Sequence, residues 1–243
     1  MDDIIDVNTL FGSLPQLNAD MTLETLQNMM ERHGIGNACT LSTTGILIDP
    51  DTGNTQTRAT CASNSSLLPV ATLNPKRFYG TLSPVATMQI EDCCLIRFFP
   101  GIQEWPVDFA PFRAILSLLK RMEKPHPIMV DISASGQITT LMSLANDYPS
   151  PIILASVDST VLSEAFLVMK NCPTWLIETS HLIATGAIAY MVQSLGAERV
   201  LFGSGAPVRS VASALQVLEA AGLDEKSSSL VMRENAIRTL GIR

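Results

Sequence analysis

Eight short apolar runs, most of them carrying β-branched residues, recur along the chain. They lie at 4–8 (IIDVN), 37–42 (NACTLS), 68–73 (LPVATL), 93–99 (CCLIRFF), 127–132 (PIMVDI), 151–156 (PIILAS), 174–179 (TWLIET) and 199–204 (RVLFGS). Near-continuous apolar runs of this length fit strands covered on both faces, as in a parallel sheet. Helix-period segments stand between them, at 22–33, 108–122, 136–147, 160–170, 185–195, 209–221 and 225–239. Thr22 is a candidate cap for the first, Glu24 suits its dipole, and Gly34 ends it. In 108–122, Phe109, Phe112, Ile115, Leu116 and Leu119 share one face. The interval 74–92 has the weakest helical pattern, because Pro75 and Pro84 interrupt it. Strands alternating with helices in 243 residues predict a closed (β/α)₈ TIM barrel. The competing doubly wound sheet would carry a Gly-rich loop after its first strand, and DVNTLFGSLP contains no GxGxxG. No break in composition divides residues 1–243, so a single domain is expected. Its longest excursion, 43–66, is polar and rich in turn residues; it predicts a loop insertion after strand two, placed to act as a lid over the active-site face.

Charge excludes some function classes. Sixteen basic residues against 23 acidic give a net charge of −7, which argues against a nucleic-acid surface. Lys76-Arg77 and Lys120-Arg121 are too short to alter that. The five cysteines are odd in number, sit mostly in apolar runs and form no CxxC pair, so buried free thiols in a reducing cytoplasm are expected. The N-terminal MDDIIDV is acidic and unlike a signal peptide, and no uncharged apolar run is long enough to cross a bilayer. The expected setting is cytoplasmic, with no membrane partner. The helix at 209–221 and the stretch AIAYMV are candidates for a homo-oligomer contact, and an ordinary core explains them equally well.

Several phrases together resemble one family. IIDVNTLFG is similar to the opening of the amidohydrolase-related barrels, whose first strand usually ends in Asp-x-His-x-His. PVATLNP resembles their third strand. LIETSHL and LGAERVLFGSGAP resemble their last two strands, which usually finish in Phe-Gly-Ser-Asp-x-Pro, and ENAIRTLGI resembles their terminal helix. The resemblance implies a barrel whose site lies at the strand C-terminal ends. In the family that site commonly holds one or two divalent metals through histidines, and an aspartate after strand eight serves the attacking water. Here Asn8 and Leu10 stand at the paired-histidine positions, Asp131 ends strand five, Ser156 ends strand six, and Gly205 replaces the aspartate. The chain has three histidines, and of these His33 and His126 should lie away from the rim, leaving His181. Zinc needs about three protein ligands, so a histidine-rich metal site is not expected. An oxygen-only site from Asp6, Asn8 and Asp131, or Glu178, is the remaining metal option.

Catalysis by bare side chains then falls to Asp131, Glu178 and His181, with no cofactor. Asp6, Asn8, Arg97, Ser180 and Ser204 are the candidate substrate-binding residues. Asp6 has a structural alternative, accepting amides of a neighbouring turn. An arginine inside a barrel strand must pair with a carboxylate or meet an anionic ligand. Ser180 and His181 with Glu178 make a Ser–His–acid triad conceivable, although no GxSxG elbow is present. Ser204 serves either as a nucleophile or as a cap for the loop after strand eight. Two functions follow: a metal-independent amidohydrolase-like hydrolase (or related lyase) acting on a small acidic lactone, ester or amide, or a barrel without catalysis that binds a ligand or partner.

Overall fold

The computed structural model describes residues 4–15 and 19–242. The strands are β1 (Ile4–Leu14), β2 (Ala19–Met21), β3 (Ile35–Ser42), β4 (Leu67–Thr72), β5 (Leu95–Phe98), β6 (Ile128–Asp131), β7 (Ile152–Ala155), β8 (Trp175–Glu178) and β9 (Val200–Leu201). They form one sheet in the order β2-β1-β3-β4-β5-β6-β7-β8-β9, parallel except for the short β1–β2 hairpin. The ends meet: Val7 N–H donates to Phe202 O (3.0 Å), Leu10 N–H to Ala206 O (2.8 Å) and Gly205 N–H to Asn8 O (3.0 Å). These bonds, with the parallel bridge between Thr9 and Ala206, close the sheet into a barrel.

Period-two alternation sorts the side chains of the barrel strands. Ile96 and Phe98, Ile128 and Val130, Ile152 and Leu154, and Trp175 and Ile177 face the surrounding helices. Leu95, Met129, Ile153, Leu176 and Leu201 face inward and fill the lower interior. Two residues further along their strands, Arg97, Asp131 and Glu178 continue the inward rows. One parity rule thus puts an apolar plug below and a charged layer above.

The helices are α1 (Leu23–His33), α2 (Thr43–Leu47), α3 (Pro50–Ala62), α4 (Pro84–Glu91), α5 (Ala110–Leu119), α6 (Gln137–Ala145), α7 (Leu162–Asn171), α8 (Ala187–Leu195), α9 (Val211–Ala220), α10 (Glu225–Ser229) and α11 (Asn235–Leu240). α1 has the expected ends: Thr22 Oγ1 accepts the Thr25 amide, and Gly34 closes the helix at φ 67°. A π-turn at Leu230–Glu234 joins α10 to α11. There Val231 O accepts the Phe202 amide (2.9 Å), which draws this carbonyl out of the ordinary helical ladder.

Three expectations need correcting. Residues 43–66 are not a loop insertion: α2 and α3 fill most of the stretch and form the crossover between β3 and β4. Their Asp, Pro and Thr residues are helix-start chemistry, since Asp49 caps the Thr52 amide (2.8 Å) and Pro50 occupies the first turn. α3 is tied down by Asn54, whose amide group donates to Thr72 O and accepts the Thr72 amide, both at 2.9 Å, so it does not hang over the mouth as a lid. Pro84 does not break the weak interval either; it opens α4 behind the Ser83 cap. The last barrel strand, expected to run to residue 204, is regular only over Val200–Leu201. Gly203 follows, where a Cβ would stand 2.3 Å from Glu178 Oε2.

Candidate active site

β1 gains one residue on β3 between Asp6 and Thr9, pairing Asp6 with Ala38 but Thr9 with Thr40. The bulge takes the Asn8 amide out of the ladder and gives it to Asp6 Oδ1 (3.0 Å). The same oxygen accepts the Ser204 amide (2.9 Å), so Asp6 ties the bulge to the closing seam. Asp6 is fully buried, and its Oδ2 has no hydrogen-bond partner. Burial raises its pKa to about 6, against the opposing effect of Ser204. Ser204 is also buried and accepts the Ala206 amide through its hydroxyl (3.1 Å). Neither residue lines the mouth cleft; both accept backbone amides, the structural alternative the sequence left open, and Ser204 lines an adjoining cavity.

Above them lies a cleft of about 330 Å³, walled by Leu10, Leu14, Phe99, Ile102, Ile132 and Val208, with Asn8, Arg97, Asp131, Ser156 and His181 as its polar points. Arg97 Nε and an Nη donate to the two oxygens of Asp131 (2.7 and 2.9 Å), and the other Nη donates to Asn8 Oδ1 (2.6 Å). The guanidinium stacks 4.6 Å from the centre of the Phe99 ring. A planar cation held by a bidentate carboxylate, an amide oxygen and an aromatic face is fixed in orientation. The sequence left Arg97 either pairing with a carboxylate or meeting a ligand; it does the first, and it lines the cleft as well.

Glu178 is fully buried beneath His181. Its Oε1 accepts the Ser156 amide (2.9 Å) and the Ser180 hydroxyl (2.7 Å), and its Oε2 accepts the Ser180 amide (2.7 Å). Burial raises its pKa, and these hydrogen bonds oppose the rise. Ser180 Oγ also lies 2.9 Å from His181 Nδ1 and accepts from Asn8 Nδ2 (3.3 Å). Two backbone amides on Glu178 favour the carboxylate, and the one Ser180 hydroxyl proton points at it. Ser180 Oγ must then accept from His181 Nδ1–H, which leaves Nε2 as the unprotonated ring nitrogen of the neutral side chain. Burial, followed by the nearby Arg209 charge, lowers the His181 pKa and favours that neutral form. The order is histidine–serine–acid, with the serine in the middle. Ser180 therefore has both lone pairs engaged, by His181 and Asn8, and it lines an adjoining cavity instead of the mouth cleft.

Ser156 carries no side-chain signal in the sequence beyond ending a strand. It adopts φ 61°, gives its amide to Glu178 and its hydroxyl to Asp131 Oδ2 (3.2 Å), and so links the two acids. A left-handed serine held at both ends is strain fixed by its neighbours. Phe99 and Arg209 are further site residues that the sequence did not single out.

No family model matches the sequence, and no curated protein does. Solved structures do match its fold. A 2,6-dihydroxybenzoate decarboxylase complexed with 2,6-dihydroxybenzoate superposes with TM-score 0.76 at 15% identity, over 100% of both chains. A dihydroxybenzoic acid decarboxylase from Polaromonas, with bound manganese and an inhibitor, gives 0.70 at 15%, over 99% of this chain and 97% of that one. A provisionally assigned amidohydrolase from Staphylococcus aureus gives 0.68 at 13%, over 98% and 99%. The fold is the TIM barrel that these decarboxylases and the Staphylococcus protein share.

Metal ligation, implied by that fold, is tested by the donors present. Both Asp131 oxygens and Asn8 Oδ1 are turned onto the Arg97 guanidinium, and the Glu178 oxygens hold backbone amides. Among the described residues no group of three His, Cys, Asp or Glu side chains is placed to hold a metal ion. As arranged, the oxygens of Asn8 and Asp131 are engaged by Arg97 and those of Glu178 by amides, so this oxygen set does not fit a metal ion. The thiols lie elsewhere; all five are free, and Cys39 and Cys94 approach to 3.9 Å. No described helix is long and apolar enough to cross a membrane.

Proposed function

We propose that the barrel mouth hydrolyses a small acidic lactone, ester or amide without a bound metal ion. The observation that supports this reading is the His181–Ser180–Glu178 chain ending beside Arg97 in a largely apolar cleft. His181 Nε2 takes a proton from water while the water oxygen bonds to the acyl carbon. The bond from that carbon to the leaving oxygen or nitrogen breaks, and the imidazolium returns the proton to the leaving atom. General base help of this kind supplies about 10²–10⁴ in rate. Two N–H groups of Arg97 remain beyond those given to Asp131 and Asn8, and they face the developing oxyanion. Asp131 holds the guanidinium flat for that task. Ser180 and Glu178 keep the imidazole in the required tautomer.

The test is a panel of carboxylate-bearing lactones, esters and amides, assayed with and without chelator. Dihydroxybenzoates belong in the panel because decarboxylases share this fold. Turnover that persists in chelator and falls at least about a hundredfold in His181→Ala supports the reading. Turnover that appears only with added metal rejects it, and so does release of carbon dioxide in place of hydrolysis. A second reading, a binding barrel without catalysis, draws on the way Asn8, Arg97, Asp131, Ser180 and Glu178 satisfy one another. Ligands that bind tightly and emerge unchanged would favour it.

A further inference from the structure

A second cavity of about 200 Å³ adjoins the cleft on the far side of Ser180, and Val208 lines both. Its wall carries Arg209, Ser210 and Ser213. The Arg209 Nε–H is buried without a hydrogen-bond partner, and no described carboxylate makes an ion pair with this side chain. An unpartnered buried guanidinium donor is costly unless something else satisfies it. Ser210 Oγ accepts the Ser213 amide (3.4 Å), so its own hydroxyl proton is available to a ligand. We propose that Arg209, with the Ser210 and Ser213 hydroxyls, forms an oxyanion subsite that takes the carboxylate of the substrate whose reacting bond lies at His181.

The proposal rests on the hydrolase reading for the word substrate, and on local geometry for the anion. The Arg97 charge is already answered by Asp131 in a bidentate pair, so it offers an incoming anion a dipole more than a free charge. Arg209 offers the charge. It also lies close to Ser180, the chain neighbour and contact of His181: a Cβ on Gly205, a cleft residue, would stand 3.6 Å from Arg209 Cβ and 3.1 Å from Ser180 Cβ. Electrostatically, Arg209 is the charge that most lowers the His181 pKa. A carboxylate bound to Arg209 would thus sit within one small-molecule length of the base. Planar carboxylates are matched by the guanidinium fork, and the serines add donors from the side.

Binding of benzoate, benzamide and inorganic phosphate to the full chain, measured by calorimetry, tests this without turnover. Wild type should bind benzoate and discriminate against benzamide, the uncharged isostere. Arg209→Gln should weaken benzoate at least about tenfold, the scale of one lost charge-assisted contact. Arg209→Lys should fall between them, and Ser213→Ala should weaken binding less than Arg209→Gln. Equal benzoate affinity in Arg209→Gln overturns the proposal, as does wild type that binds benzoate no better than benzamide. Binding of phosphate but not benzoate overturns the carboxylate assignment. Because the Arg209 side chain braces nothing, the variants should melt with wild type; a collapsed Arg209→Gln would itself contradict the free guanidinium. If binding depends on Arg209 but no panel compound is hydrolysed, the subsite stands and the hydrolase reading falls.

Discussion

Two arginines act on His181 electrostatically, and they are used in opposite ways. Arg97 grows from the barrel wall, with its side chain 6% exposed, and spends three nitrogens on Asp131 and Asn8 while stacking on Phe99. Arg209 comes from the loop after β9, and its Nε–H meets no acceptor. The first guanidinium belongs to the scaffold, so removing it leaves partners stranded. The second is available, and its removal strands nothing. A charge in a site is informative about ligands in proportion to what it has left over.

The largest effect that would break this contrast is on stability. Arg97→Met should cost about 3 kcal/mol, because Asp131 and Asn8 lose their partner, whereas Arg209→Met should stay within about 0.5 kcal/mol. Denaturant melts of both variants check this, and equal losses would end the distinction. Next comes catalysis. Asp131→Asn removes the charge that holds Arg97 and should abolish measurable hydrolysis, at least about a hundredfold, or about 2.7 kcal/mol in barrier; unchanged rates would remove Asp131 from the mechanism.

The third effect concerns the acid below. The Asp6 pKa is raised from 3.8 to about 6 by burial, so the folded state holds a proton that the unfolded chain has released. Its contribution is fully present below pH 4 and is lost as pH rises through about 6. Over that window wild type should lose about 3 kcal/mol relative to Asp6→Asn, with the two converging at lower pH. Parallel stability curves would mean that Asp6 titrates normally. The smallest effect is that of Ser180→Ala, about 1–2 kcal/mol in stability from the hydroxyl's lost contacts with Glu178, His181 and Asn8. Its catalytic signature should be a displaced pH–rate profile, because the imidazole loses the acceptor that fixes its tautomer.

The barrel was legible because its strands repeat one rule. Apolar runs interrupted by a single charge, CCLIRFF and PIMVDIS, singled out Arg97 and Asp131, and the structure brings them together in one inward layer. Asp6 and Ser204 were legible as strand-end polar residues with a bracing alternative, which the amides they accept match; the place of Ser180 between Glu178 and His181 was not. Asp6 braces a bulge that depends on pairing with a distant strand, and the role of Ser180 depends on which neighbour takes its one proton. Residues 43–66 misled because the residues that start helices are also those that make turns; only the hydrogen bonds of Asn54 to β4 separate the two. Arg209 left no trace in the sequence, since an unpartnered side chain is defined by what surrounds it.

The π-turn at Leu230–Glu234 carries a further lesson. The Val231 carbonyl receives the Phe202 amide at the seam, while Asn235 Nδ2 grips the carbonyls of Ala197 and Val200 (both 2.8 Å). The final helical segment is therefore a clasp on the cylinder, holding from outside the same strand end whose other side closes onto β1.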